Sequence, residues 1–166
     1  QVTLAAGDGT DSVSINLPQA PLGLSTIVGT PGVIVDGQGP TSGDMLYVNG
    51  TQPTVSVGLG APSTIDGAAG TAGSPVRIQY SNIEGLDVNA GAANTIAVAG
   101  ANQYINSAAT ATDAGDLLAD SFPIHYSQLG TGKTLALTGA GAGAIDGAGR
   151  WIWIGSAMRR PPATLR

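Results

Sequence analysis

The sequence predicts an all-β fold, either a β-solenoid of the β-helix type or an elongated β-sandwich of short strands, with at most one short helix. Glycine (26 residues) and proline (10 residues) are frequent, which suits short strands joined by tight turns, because glycine adopts positive φ without steric cost. Only 10% of the residues are charged and 4% are aromatic, so Val, Ile, Leu and Ala supply the apolar bulk. Apolar and polar residues alternate in several segments, which is the period of a half-buried strand.

The alternating and aliphatic runs lie between turn signals, mostly 8 to 15 residues apart. Such spacing is typical of a solenoid, sandwich or barrel. A short alternating strand is also expected at Gln1–Ala5. The other predicted strands are Ser12–Leu17, Val33–Val35, Met45–Val48, Thr54–Val57, Val76–Tyr80, Leu86–Val88, Thr95–Val98, Ile124–Tyr126, Thr134–Leu137 and Trp151–Ile154.

One segment, Ala111–Phe122, is compatible with a helix. Thr112 or Asp113 could cap its N-terminus, and Pro123 would end it. Gly115 lies inside the segment and weakens the prediction, because glycine is a poor helix former.

Charge is distributed unevenly along the chain. All eleven acidic residues lie between Asp8 and Asp146, whereas four of the six basic residues lie in the last seventeen positions. We therefore divide the chain into a β-repeat domain, residues 1–150, and a C-terminal strand with a basic tail, residues 151–166. An acidic body does not suit a nucleic-acid partner, which needs a broad basic surface. No apolar run reaches the roughly 18 residues that span a membrane, so membrane insertion is not expected.

Two kinds of internal repetition are visible in the sequence. The segment Pro75–Ile83 matches Pro123–Leu129 around a Tyr-Ser-Asn/Gln-aliphatic centre. The second is an aliphatic-Asp-Gly element that ends at Gly37, Gly67 and Gly147. It predicts a strand end followed by a turn, in which Asp bonds the local backbone and Gly takes the left-handed conformation.

The segment Tyr80–Gly100, YSNIEGLDVNAGAANTIAVAG, resembles degenerate Gly/Asx-rich repeats of giant secreted or surface-anchored bacterial proteins of the adhesin type. The segment AGDGTDSVS, Ala6–Ser14, is similar to the nonapeptide of RTX β-roll proteins. These resemblances imply an exported, β-rich repeat architecture that binds calcium where the turns keep their carboxylates. Asp8 and Asp11 are the candidate calcium ligands. A structural Asx turn is the favoured interpretation, because the later turns lack the matching carboxylates, so no cofactor is expected.

The sequence is not expected to encode an enzyme. His125 is the sole histidine and lies in a predicted strand with no nucleophile motif beside it. Asp36, Asp66 and Asp146 share one motif and could align as the carboxylates of a polysaccharide-cleaving β-helix enzyme. Each of them, however, is already explained by its Asp-Gly turn.

The two ends of the chain are the candidate assembly regions. The last predicted strand holds both tryptophans and is apolar on both faces, which makes an uncovered edge prone to association. We expect head-to-tail contact between copies, with opposite charges steering association. The candidate residues are Val2, Leu4, Trp151, Ile152, Trp153, Ile154, Arg159 and Arg160.

These observations predict a structural subunit of an extracellular or cell-surface assembly: a fibre, a surface layer or an adhesin stalk. Its partners would be other copies of itself, with a host surface or a capsid as alternatives. A phage virion component, either a capsid decoration protein or a tail-fibre domain, is the alternative function. A polysaccharide-active enzyme is the third.

Overall fold

The computed structural model describes residues 2–16, 32–39, 43–49, 54–67, 76–91, 95–111, 114–129, 134–139, 144–145 and 153–154. These ranges contain β-strands and no helix, so the all-β prediction is confirmed. The strands are β1 (Val2–Ala5), β2 (Ser12–Asn16), β3 (Val33–Asp36), β4 (Met45–Asn49), β5 (Thr54–Gly58), β6 (Ser63–Gly67), β7 (Val76–Ser81), β8 (Gly85–Asn89), β9 (Thr95–Ala99), β10 (Tyr104–Ala111), β11 (Ala114–Ala119), β12 (Phe122–Ser127), β13 (Thr134–Thr138), β14 (Ala144–Ile145) and β15 (Trp153–Ile154).

The strands form two mixed sheets. One has eight strands in the order β1-β3-β7-β6-β5-β9-β13-β15, and the other has seven in the order β14-β10-β11-β12-β8-β4-β2. Most neighbours run parallel; the antiparallel pairs are β5–β6, β6–β7, β10–β11 and β11–β12. Within the described ranges, no helix is long and apolar enough to cross a membrane.

The inner faces of both sheets share one apolar core, because side chains alternate between the two faces of a strand. In β5, for example, Val55 and Val57 are buried while Thr54 and Ser56 are half-buried. Val35 and Ile78 of the eight-stranded sheet and Leu46 and Leu86 of the seven-stranded sheet are fully buried in this core.

The predicted helix over residues 111–122 is wrong. Its described part is strand β11 with the turn into β12. Gly115, Leu117 and Ala119 are buried, whereas Asp116 and Leu118 are exposed, which is the period of a strand and not of a helix. The pairing of β11 with β10 and β12 overrides the local signals for a helix cap and stop.

The predicted strands are confirmed where the structure describes them, although Gln1, Leu17, Trp151 and Ile152 lie outside the described residues. Sequence reasoning missed β6, β10 and β14. Tyr104–Ala111 has a polar and small-residue sequence, YINSAATA, with little aliphatic alternation. It is held as a strand by antiparallel pairing with β11.

The residues that lie in register in the sheets are not the residues that match in the sequence repeat. The matched tyrosines, Tyr80 and Tyr126, lie in β7 and β12, which belong to different sheets. The residues that stack in register are instead Leu46, Leu86 and Ile124, which are 40 and 38 residues apart in sequence. Between Leu46 and Leu86 the chain passes through β5, β6 and β7, which belong to the other sheet.

The Asp-Gly element has two different structures. Asp36 ends β3, and its Oδ1 accepts a hydrogen bond from the Gln38 amide at 3.1 Å, as expected of an Asx turn. The left-handed residue is Gln38, with φ of 59°, and not Gly37. Asp66 lies within β6, which ends at Gly67 as predicted, and forms an ion pair with Arg77, with an Oδ1–Nε distance of 2.7 Å. The residues that follow Gly67 lie outside the described ranges. Asp146 and Gly147 lie outside the described residues.

Candidate assembly surface

The first and last strands occupy opposite edges of one sheet. Among the described residues, β1 and β15 are the two edge strands of the eight-stranded sheet, and β2 and β14 are those of the seven-stranded sheet. The candidate residues Val2, Leu4, Trp153 and Ile154 therefore lie on edge strands. Trp151, Ile152, Arg159 and Arg160 lie outside the described residues.

The two edge strands of each sheet run in the same direction. Each sheet contains two antiparallel steps, at β6 in the larger sheet and at β11 in the smaller, and every other step is parallel. Two reversals restore the original direction, so β15 runs parallel to β1, and β14 runs parallel to β2. A copy placed beyond one edge of a sheet in the same orientation would thus continue the parallel ladder of that sheet.

One register row crosses the eight-stranded sheet from edge to edge and consists of aliphatic residues throughout. Its six inner members are buried. In order, the row contains Val2, Val33, Ile78, Ile65, Val57, Val98, Leu137 and Ile154. An aliphatic residue therefore occupies both ends of the row.

A second row crosses the seven-stranded sheet and is aliphatic at every strand except β10. In order it contains Val13, Leu46, Leu86, Ile124, Leu117, Asn106 and Ile145. The adjacent row places Ser12 of β2 in line with Ala144 of β14. Residues of β2 at one edge of this sheet are thus in register with residues of β14 at the other edge.

The apolar core is exposed to solvent at the β1 edge. Val2 and Leu4 are in register with the buried Val33 and Val35, yet they are 42% and 37% exposed. The Val2 and Ala6 amides donate to the Gly32 and Asp36 carbonyls, at 2.8 and 2.9 Å. Because alternate groups of a parallel strand face opposite sides, those of Thr3 and Ala5 point outward. At this edge, side chains in register with the buried core are therefore in contact with solvent.

A ladder of carboxylates runs beside the edge strand β2, and sequence reasoning missed it. Asp11, Asp44 and Glu84 each precede the first residue of β2, β4 and β8, and those first residues are in register. The Asp11 amide donates to Asp44 Oδ1 at 2.7 Å, and the Asp44 amide donates to Glu84 Oε2 at 2.8 Å. The carboxylates of Asp44 and Glu84 therefore each bind the backbone amide at the equivalent position beside the neighbouring strand. The signal in the sequence was one acidic residue directly before each of three strands.

Asp44 is buried, with 1% of its surface exposed. Its Oδ2 and the Oδ2 of Asp11 are buried and have no hydrogen-bond partner among the described residues.

Asp8, the other candidate calcium ligand, is exposed. Within the described ranges, no group of three or more His, Cys, Asp or Glu side chains is placed to hold a metal ion. The calcium site considered for Asp8 and Asp11 stays a prediction.

The carboxylates considered for catalysis do not converge. Asp36 is in register with Ser81 and Asp66 with Arg77, four residues away on β7, which separates them by about 13 Å along the strand. Asn82 Nδ2 and the Gln38 amide donate to Asp36 and hold the pKa of its carboxyl below the ordinary value. His125 Nδ1 lies 2.7 Å from Asp116 Oδ1 on the exposed face of β11 and β12.

A pocket of about 350 Å³ opens where the turns after β5, β7, β9 and β11 meet. Asp120 lines it, but its oxygens accept hydrogen bonds from the Asn102 and Gln103 amides, each at 2.7 Å. These bonds, the Asn102 amide first, lower the pKa of Asp120. Burial raises the pKa of Tyr80, which also lines the pocket, to about 12. The acidic side chain in this pocket therefore holds a loop together.

Comparisons of the chain with protein-family models, with curated proteins and with solved structures found no match.

Proposed function

We propose that the chain is a structural subunit of an extracellular assembly, such as a fibre, a surface layer or an adhesin stalk, whose copies stack head to tail through their terminal strands. The observation that carries the proposal is the position of β1 and β15 on opposite, equally directed edges of one sheet. The resemblance to secreted repeat proteins supports the extracellular setting, and the acidic body with a basic C-terminal sequence supports head-to-tail contact.

Stacking would cover the apolar residues that the β1 edge leaves in water. Complete burial of a large aliphatic side chain contributes roughly 1.5–3 kcal/mol relative to its exposure. Val2 and Leu4 are each more than one third exposed. A docked strand would also bind the outward backbone groups of Thr3 and Ala5, which is the β-augmentation mode of recognition.

Head-to-tail stacking fits the edges better than a two-fold dimer does. A two-fold contact uses the same surface on both subunits. It would pair β1 with a second β1 and leave β15 uncovered in both copies. Repeated head-to-tail contacts instead use both edges of every copy except the terminal ones, and yield an open filament if the rotation does not close.

Electron microscopy of the concentrated protein tests this proposal. With seven or eight strands per copy spaced about 4.8 Å apart, we expect filaments or layers with an axial repeat of roughly 34–38 Å. Leu4→Asp should abolish them, because it would place a charge in the contact. Leu118→Asp is the matched control: Leu118 is 40% exposed, as against 37% for Leu4, but lies on the inner strand β11. Monodisperse single copies at high concentration, or equal effects of the two variants, would contradict the proposal.

A further inference from the structure

We infer that the pocket at the turns after β5, β7, β9 and β11 binds an organic cation carried on an aliphatic stem, of the kind that an arginine or lysine side chain presents. The proposed assembly does not use this pocket, so the inference is tested separately from the proposed function. Three properties of the pocket support it: the sign of its charge, its two aromatic rings and its apolar lining.

The charge of the pocket is negative. Asp120 lines it, and no lysine, arginine or histidine of the described chain does. The hydrogen bonds from Asn102 and Gln103 lower the pKa of the Asp120 carboxyl, so this group is ionised at neutral pH. Asn82, also in the lining, donates through Nδ2 to Asp36 Oδ1 at 2.8 Å, which brings a second carboxylate close to the pocket. A cleft with charge of one sign concentrates ligands of the opposite sign.

The Asp120 carboxylate is held in place by the neighbouring loop. Its Oδ2 accepts hydrogen bonds from the Asn102 amide at 2.7 Å and from Asn102 Nδ2 at 3.1 Å, and its Oδ1 accepts one from the Gln103 amide at 2.7 Å. The Asp120 amide donates in return to the Gln103 carbonyl at 2.9 Å. A carboxylate offers about four acceptor positions, so these three bonds leave one for a ligand. A charge already fixed in position needs little ordering on binding, which favours affinity.

Two aromatic rings from different sheets meet at the pocket. Tyr80 of β7 and Phe122 of β12 are stacked, with ring centroids 6.4 Å apart, and both line the pocket. Aromatic rings attract organic cations through their π electrons. Further apolar lining comes from the buried residues Ile83, Ala101 and Ala119. This surface suits the methylene stem of an arginine or lysine side chain, because such a stem packs on apolar surface while its head group stays in a polar setting.

The volume of the pocket suits a small ligand. At about 350 Å³, it lies near the lower end of the roughly 300–1,000 Å³ range of ligand pockets. A neutral molecule of the same shape would pack on the same apolar lining but would lack the charge attraction to Asp120. An anion would be repelled by Asp120. The expected order of affinity is therefore cation, neutral isostere, anion.

Saturation-transfer difference NMR with n-butylguanidinium tests the inference, because the method works on single copies and on assemblies alike. We expect saturation transfer to the butyl protons at millimolar concentrations. The neutral isostere N-butylurea should bind about fivefold more weakly, in line with loss of an exposed ion pair, and the anion butyrate should show no transfer. Equal affinities for butylguanidinium and butylurea, or no transfer to butylguanidinium, would overturn the inference.

Two variants locate the site. Asp120→Asn removes the charge and Phe122→Leu removes a ring, and each should weaken binding of butylguanidinium about two- to fivefold. Asp116→Asn is the matched control, because Asp116 is an exposed carboxylate of β11 that does not line the pocket, and it should bind like the wild type. If circular dichroism shows that Asp120→Asn does not fold, Phe122→Leu decides. Unchanged binding in the folded variants, or an equal loss in Asp116→Asn, would overturn the inference.

Discussion

Replacing Gly37 with alanine should destabilise the fold by roughly 3 kcal/mol, a large effect for one methyl group. A Cβ at this position would lie within van der Waals overlap of the Asn82 carbonyl oxygen and 2.6 Å from Asp44 Oδ2. The Asn82 atom belongs to the backbone and cannot move away as a side-chain end can. The Gly37 amide also donates to the Ser81 carbonyl, at 3.0 Å, which holds the two turns together. Urea unfolding monitored by far-ultraviolet circular dichroism measures the change in the free energy of unfolding.

Gly60→Ala is the matched control for this prediction. The nearest atom to a Cβ at Gly60 is the Pro62 carbonyl oxygen at 3.9 Å, so the methyl group has room. We expect its free energy of unfolding to stay within about 0.5 kcal/mol of the wild type. Equal stabilities for the two variants would show that the turns after β3 and β7 do not pack as closely as described.

Deleting residues 151–166 should abolish head-to-tail assembly and leave a folded single copy. The deletion removes β15, the edge strand that pairs only with β13 in the described part of the chain, so few internal contacts are lost. It also removes both tryptophans and three of the six basic residues. Light scattering measures the mass, and circular dichroism reports whether the sheets persist. A truncated protein that stays folded and assembles like the wild type would refute a contact through β15.

A shorter deletion, of residues 159–166, separates the strand from the basic tail. It keeps β15 and removes Arg159, Arg160 and Arg166. We expect this variant to assemble, but with a weaker dependence of association on salt, since charge steering is screened by salt. Complete loss of assembly would show that the contact depends on residues 159–166 and not on β15 alone.

The fold class and most strands could be predicted from the sequence, because alternation and turn residues are local signals. The helix prediction at residues 111–122 failed because Gly115 and Leu117 are buried by pairing with β12, which is a non-local contact. β10 was missed for the same reason. The order of the strands in each sheet could not be predicted, since many neighbouring strands, such as β1 and β3 or β4 and β8, are separated along the chain by strands of the other sheet.

Part of the candidate site could be predicted too. Apolar alternation at Val2 and Leu4 and the tryptophan-containing last strand marked both ends of the chain as unusual. That these ends form opposite edges of one sheet depends on two antiparallel steps that no local pattern shows. The carboxylate ladder joins residues 33 and 40 positions apart, so it becomes visible only once the strands are in register.

Disulfide trapping between copies tests the central claim, head-to-tail stacking in register, most directly. The chain has no cysteine, so single-cysteine variants report one position each. Ser12 and Ala144 share a register row, and neighbouring strands lie about 4.8 Å apart, within the roughly 4.4–6.8 Å between Cα atoms that a disulfide allows.

We predict that an equimolar mixture of Ser12→Cys and Ala144→Cys forms the mixed disulfide dimer under mild oxidation. Ser12→Cys alone, and the central-strand control Tyr47→Cys, should stay uncrosslinked. A Ser12→Cys homodimer that forms as fast as the mixed dimer would indicate a two-fold contact through β2 and would contradict head-to-tail stacking. Assembly without any mixed disulfide would contradict the register.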